Sequence, residues 1–252
     1  MRVFHGFDSL PQFRNATVTV GSFDGVHLGH AMLLGRTGTL AADDQGESVV
    51  MTFEPHPRIF FGCDMQLLTT LDEKIALLEQ CGADNLVIIP FDESLRRLTA
   101  VEFVKKYVVG GPVAARRLVL GYDHRLGSDR RGGAELAAEL NGMFGLETFC
   151  EGCREIDGLN VSSTAVRRAI ESGDIAAAER LSGHPYIIKC IFDDGTAAGL
   201  SRHKLLPPNG KYRVKANGTD TEIKINERTI TAGIRLTGAA TIEIVELCLH
   251  TK

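Results

Sequence analysis

The sequence predicts an α/β fold, a parallel sheet covered by helices and followed by a small C-terminal antiparallel β module. Three observations predict it. Over the first two thirds of the 252 residues, apolar runs of strand length alternate with helical stretches, the pattern of a parallel sheet covered on both faces. Near Gly183-His184-Pro185 the helical period disappears and short β-branched runs replace it. Between two of those runs stands Asn217-Gly218, the pair favoured by a type I′ hairpin turn. With 44% hydrophobic and 24% charged residues, the chain has ordinary globular composition and enough apolar material for a core.

The elements follow in order. Residues 16–20 alternate β-branched and small side chains and read as a buried strand, with a helix expected over about 31–42. Residues 48–53 form the next strand, ending at Glu54-Pro55-His56-Pro57, where two prolines forbid regular structure. Thr70 opens a helix with Glu73 in the capping-box position, and Gly82 closes it. Residues 85–89 suit a buried parallel strand. A second capping box, Thr99 with Glu102, starts a helix carrying Val101, Val104 and Val108. Residues 117–120 make a strand ending at Gly121-Tyr122-Asp123, before a helix over 133–143 and a strand over 147–149. Beyond Tyr186 come β runs at 187–192, 212–216, 221–225, 229–236 and 241–249. The division expected is a domain over 1–185 and a β module over 186–252, short for an independent domain.

In open α/β sheets ligands bind beyond the carboxyl ends of the strands. The segment from Gly21 through Ser22, Phe23, Asp24, Gly25, Val26, His27, Leu28 and Gly29 to His30 lies at such a place, between a strand and a helix. Backbone N–H groups and the positive end of the helix dipole collect there and suit an anion such as phosphate. His27 and His30, three apart, can face the same side of the first turn, while Gly25 and Gly29 leave room for close approach. Two histidines can also merely cap a loop, but the glycines, strand and helix together favour a phosphate site. Two imidazoles do not complete a zinc site, so no metal ligands are expected. The chain has neither Gly-x-x-x-x-Gly-Lys-Ser/Thr nor Gly-x-Gly-x-x-Gly.

A second segment, Val161-Ser162-Ser163-Thr164-Ala165-Val166-Arg167-Arg168, offers a cap at Ser162 or Ser163, hydroxyls, and a guanidinium able to grip two oxygens. Alone it reads as a well-capped surface helix. Beside the histidine segment it reads as a second phosphate cradle.

The formal net charge of −4 argues against a general nucleic-acid binder. No signal-like or membrane-length apolar run is present, and six scattered cysteines fit reduced thiols in a cytoplasm. Cys150-Glu151-Gly152-Cys153 lacks the second half of a zinc ribbon and does not open a helix, so it reads as incidental.

Segments 21–30, Thr52-Phe53-Glu54-Pro55-His56-Pro57, Gly121-Tyr122-Asp123, 162–167, and Gly173-Asp174 through Gly183-His184-Pro185-Tyr186 together resemble the bacterial FAD synthetase family, within the HxGH nucleotidyltransferase superfamily. The resemblance spans roughly 15–186. It implies a Rossmann-like nucleotidyltransferase domain in which FMN attacks the α-phosphorus of ATP to give FAD and pyrophosphate. His27, His30 and Arg167 would be catalytic. Gly21, Ser22, Phe23, Asp24, Gly25, Ser162, Ser163 and Thr164 would bind the nucleotide and its phosphates. Pro55, His56, Pro57 and Asp123 would border the flavin. Mg²⁺ is implied as a bridge between phosphate oxygens, with few protein ligands. The implied partners are ATP and FMN, without nucleic acid or membrane.

Two departures qualify this. Where the family usually has aromatics after the aspartate, this chain has His124 and Leu126. The family's kinase module carries a Gly-Arg segment leading to Pro-Thr-Ala-Asn and a later general-base glutamate. None of these follows Tyr186, although Leu206-Pro207-Pro208-Asn209-Gly210-Lys211-Tyr212 resembles the strand entry of that barrel. The expectation is an FMN adenylyltransferase with a reduced, kinase-dead β module. The alternatives are transfer to another phosphate-bearing acceptor and a non-catalytic flavin- or nucleotide-binding paralogue.

Overall fold

The computed structural model describes residues 1–156 and 158–248. It divides into two compact units, each built from separate chain segments. The first comprises Met1–Phe23, Gly29–Asp64 and Leu77–Arg154; the second comprises Asp24–Leu28, Met65–Ala76 and the described part of Glu155–Lys252.

The first unit holds strands β1 (Arg2–His5), β2 (Thr17–Val20), β3 (Ser48–Glu54), β4 (Asn85–Pro90), β5 (Arg117–Gly121) and β6 (Glu147–Glu151). They form one six-stranded sheet in the order β1-β4-β3-β2-β5-β6, parallel at every pairing. β2 is buried throughout, and β3 and β4 at all but their last residue, as strands covered on both faces must be. Val18 stands in register with Val49 on one side and Leu118 on the other. With Val20, Met51, Val87 and Leu120 these side chains belong to the core packed against the sheet.

Helices α1 (Leu28–Asp43), α2 (Pro57–Phe60), α3 (Leu71–Gln80), α4 (Ala100–Phe103) and α5 (Gly133–Leu140) lie between the strands in sequence. α1 begins three residues earlier than expected, because its Leu28-Gly29 start is helical despite the low propensity of glycine. Both capping boxes form. Thr70 N–H donates to Glu73 Oε2 at 2.8 Å, and the Thr99–Glu102 box is closed in both directions. Two expectations are corrected. The helix begun at Thr99 continues as a π-type turn over Val104–Val109, and the helix over 133–143 stops at Leu140, before Gly142 at φ 79°. β1 was not anticipated; it is a four-residue edge strand, mostly exposed and too short to show an alternation.

The second unit contains a short hairpin of β7 (Glu155–Ile156) and β8 (Leu159–Asn160), then α6 (Ser163–Glu171) and α7 (Ile175–Ser182). Strands β9 (Tyr186–Asp193), β10 (Thr196–Ala198), β11 (Gly210–Ala216), β12 (Thr219–Asn226), β13 (Thr229–Ala232) and β14 (Gly238–Leu247) follow. They close into a six-stranded antiparallel barrel in the order β10-β13-β12-β11-β14-β9, which leaves no open edge. Alternate residues point inward, and Ile188, Phe192, Tyr212, Val214, Ile223 and Ile242 are all at most 2% exposed, so side chains fill the interior. Asn217 at φ 49° and Gly218 at φ 81° make the expected turn between β11 and β12. The run over 229–236 keeps strand geometry only to Ala232. At Gly233 the Glu222 carbonyl oxygen lies 3.2 Å from where a Cβ would stand. β10 was missed, being three residues of weak pattern. The last expected strand runs over Gly238–Leu247; Leu249 lies outside the described residues. Among the described residues no helix is long and apolar enough to cross a membrane.

Candidate active site

The ends of β2, β3 and β5 deliver the first unit's share of the candidate residues. After β2, Gly21 leaves space that the Phe23 ring occupies; a Cβ on Gly21 would meet that ring at 3.1 Å. Phe23 is 1% exposed, at φ 47°, and its ring meets the edge of His30 at a centroid distance of 5.2 Å. Phe23 therefore sets the orientation of an imidazole in the first turn of α1. The Ser22 carbonyl accepts a hydrogen bond from Thr52 Oγ1 at 3.3 Å, tying this turn to β3.

Beyond β3, Pro57 occupies the first position of α2, where its missing N–H costs nothing, and His56 caps the helix. His56 Nδ1 accepts the Arg58 N–H at 3.1 Å, which places the ring proton on Nε2. Asp123 is exposed just past β5. Leu126, in contrast, is 4% exposed and belongs to the core of this unit rather than to an open surface. Burial pushes His124 down to about 4, and neighbouring Arg125 adds to the effect.

The second unit gathers the other residues around Asp24. This carboxylate, 3% exposed, takes the Arg167 guanidinium at 2.7 Å through Oδ2 and the Thr69 N–H at 3.1 Å through Oδ1. Arg167 Nε also donates to the Gln66 carbonyl at 3.1 Å, and Nη1 to the Ser163 carbonyl at 3.5 Å. Three of its five N–H donors are thus engaged among the described residues. Ser163 Oγ donates to the Asp24 carbonyl at 2.8 Å. Ser162 is the α6 cap, its Oγ accepting from Ala165 N–H at 3.2 Å, which leaves Ser163 and Thr164 in the first turn.

Gly25 has φ 82°, and a Cβ there would lie 2.6 Å from Leu68 Cδ1, so only glycine fits. Its N–H donates to Thr69 Oγ1 at 3.1 Å. Val26 follows at φ 39°, a strained setting for a β-branched residue. His184 faces this turn, its Nε2 3.0 Å from the Gly25 carbonyl and its Nδ1 2.8 Å from the Pro185 carbonyl. His27 is 6% exposed. Burial lowers its pKa to about 4 against the opposing pull of Asp24, and His184 lowers it further. At neutral pH His27 is therefore an uncharged imidazole.

Each unit gathers part of the expected set: Gly21, Ser22, Phe23, His30, Pro55, His56, Pro57 and Asp123 in the first, and Asp24, Gly25, His27, Ser162, Ser163, Thr164 and Arg167 in the second. Sequence reasoning gave no role to Gln66, Thr69 or His184, although His184 stands in a segment that carries the resemblance. Their contacts lie at sequence separations of 101, 45 and 159, beyond any local pattern. It also missed the aromatic group after His56. Phe60, Phe61 and Phe91 meet edge to face at 5.3–5.8 Å, with Phe61 left 55% exposed. Consecutive phenylalanines directly after Pro-x-x were the available signal.

Among the described residues no group of three or more His, Cys, Asp or Glu side chains is placed to hold a metal ion. Asp24 is already committed to Arg167 and Thr69.

A parallel six-stranded sheet covered by helices, followed by a closed antiparallel barrel, defines a Rossmann-like α/β protein. More specifically, the chain belongs to the FAD synthetase family, whose model matches residues 10–165. It is 34% identical over 216 residues to the bifunctional riboflavin kinase/FMN adenylyltransferase of Bacillus subtilis (strain 168), covering 80% of this chain and 67% of that one. The protein of the same description in Escherichia coli (strain K12) is 32% identical over 257 residues, covering 93% of this chain and 80% of that one. A solved structure described as a macrolide-efflux protein from Streptococcus pneumoniae shares the fold, with a TM-score of 0.83, 22% identity, and coverage of 100% of this chain and 92% of that one.

Proposed function

We propose that this protein is an FMN adenylyltransferase that makes FAD and pyrophosphate from FMN and ATP and does not phosphorylate riboflavin. The observation that carries the reading is the pair formed by buried Asp24 and half-buried Arg167, which fixes a guanidinium beside the Ser163–Thr164 helix turn, where it would grip phosphate oxygens. In the reaction an FMN phosphate oxygen forms a bond to the α-phosphorus while the bond from that phosphorus to the bridging oxygen breaks, and pyrophosphate departs. Catalysis of this kind rests on positioning and charge neutralisation. Neutral His27 would set its imidazole against a phosphate oxygen, and His30, steadied by Phe23, would act from the first turn of α1. Arg167, Ser163 and Thr164 would hold the β- and γ-phosphates. Gly21, Ser22 and Gly25 would let the backbone approach the nucleotide, with Asp24 acting through Arg167. Pro55, His56, Pro57 and Asp123 would border the flavin, with exposed Phe61 a further apolar surface for its ring system. Mg²⁺ would enter bound to the phosphate oxygens of ATP, and no step above is routed through it.

The reading of the barrel as kinase-inactive rests on the missing Pro-Thr-Ala-Asn segment and on an interior filled by side chains. The division into an adenylyl-transfer domain over 1–185 and a β module over 186–252 is part of the same proposal. The test is to incubate the pure protein with ATP and Mg²⁺ plus either FMN or riboflavin, quench, and separate the flavins by chromatography. FAD from FMN with no FMN from riboflavin is expected. FMN formed from riboflavin would defeat the kinase-inactive part, and no FAD from FMN would defeat the transferase part.

A further inference from the structure

Four consecutive residues, Gln66 to Thr69, each hold a different partner. The Gln66 carbonyl accepts Arg167 Nε at 3.1 Å, and the Thr69 N–H donates to Asp24 at 3.1 Å. Between them, the Leu67 carbonyl accepts the Leu205 N–H at 2.8 Å and the Leu68 carbonyl accepts Lys204 Nζ at 2.6 Å. The two outer residues thus grip the ion pair that presents Arg167, and the two inner ones are fixed to the segment that leads into β11.

Lys204 is the unusual member. It is 1% exposed, and its partner Glu73, at 2.7 Å, is 0% exposed. Its three ammonium donors go to Glu73 Oε2, the Leu68 carbonyl and, at 2.8 Å, the Ile187 carbonyl. The Tyr186 ring lies 4.3 Å from the same nitrogen. Glu73 is equally satisfied, accepting from Thr70 N–H at 2.8 Å and Lys189 N–H at 2.7 Å. A buried ion pair is poor evidence of stabilisation, since apolar residues of similar size serve as well or better. What such a pair supplies is direction: the ammonium holds a backbone carbonyl, one residue before Thr69, in a single place.

We propose that Lys204 is a positioning residue for ATP, holding Gln66–Thr69 so that this segment clamps Asp24 and Arg167 in the phosphate-binding geometry. The barrel's strand entry thereby serves nucleotide binding in place of a kinase reaction. The inference rests on the reading of Arg167 as a phosphate ligand.

The experiment uses the full chain, with ATP titrated calorimetrically in the absence of flavin, thermal melting, and hydrogen exchange at the Thr69 and Gly25 amides. Lys204→Met alone strands the buried Glu73 and is expected to melt far lower, so the informative variant is Lys204→Met with Glu73→Met, which removes both charges. A third variant, Val214→Ala, loosens the barrel core elsewhere. The double variant also takes the acceptor from the Thr70 and Lys189 N–H groups, so it should melt below the parent but no lower than Val214→Ala, and bind ATP about tenfold more weakly, a size usual for perturbations acting through intervening residues. Its Thr69 and Gly25 amides should exchange faster. Val214→Ala should melt lower and bind ATP like the parent. Parental ATP affinity in a folded double variant would overturn the proposal, as would an equal loss of affinity in Val214→Ala. Failure of the parent itself to bind ATP would instead defeat the proposed function. Unaltered Thr69 exchange in the double variant would then still overturn the positioning role.

Discussion

At the scale of single residues, the account turns on an imidazole kept neutral. His27 is ordinarily expected to titrate near 6.5 and in the folded chain does so near 4, mainly through burial. The unfolded chain therefore binds a proton more readily. The stability due to neutral His27 is fully present above about pH 6.5 and is lost as pH falls towards 4, amounting to about 3 kcal/mol. Chemical denaturation of the parent should thus weaken over that window more steeply than that of His27→Gln; parallel curves would refute the assignment. In turnover, His27→Ala and His30→Ala should each lower FAD formation roughly a hundredfold to a thousandfold if each donor meets developing charge. Unchanged rates in both would remove them from the mechanism. The residue types of the turn were legible in the sequence. The work done by Asp24 was not, because a carboxylate among phosphate-binding residues makes sense only once Arg167, 143 positions away, is seen to neutralise it.

At the scale of elements, local chemistry was readable wherever it was complete within four residues. Both capping boxes, the Ser162 cap of α6 and the Asn217-Gly218 turn are of this kind. β1 and β10 escaped because edge and short strands carry too little alternation, and the π-type turn over Val104–Val109 leaves no mark in an apolar helical pattern. Ser162→Ala should lower stability by about 1 kcal/mol, read by thermal melting, because it removes the cap of α6. No change would mean that Ser162 is dispensable to the helix. Arg167→Ala should raise the KM for ATP and leave the KM for FMN near the parental value; equal KM values for ATP would refute its role. That split separates a phosphate ligand from a residue needed only to hold α6 in place.

At the scale of the whole molecule, two cores form under two different periodicities, one beneath a parallel sheet and one inside a closed barrel. That change of period near Gly183 was plain in the sequence. The assembly of the second unit from three segments was not, since 24–28 and 65–76 carry no signal that ties them to the chain beyond 155. The central claim is that the chain moves AMP onto FMN, using residues its fold holds around Asp24 and His27. The most direct measurement follows ATP labelled at its α-phosphorus, incubated with FMN, in the parent and in His27→Ala. Label should reach FAD at a rate matching pyrophosphate release, with a large fall in both for the variant. Label that never reaches FAD, or a variant as fast as the parent, would contradict it.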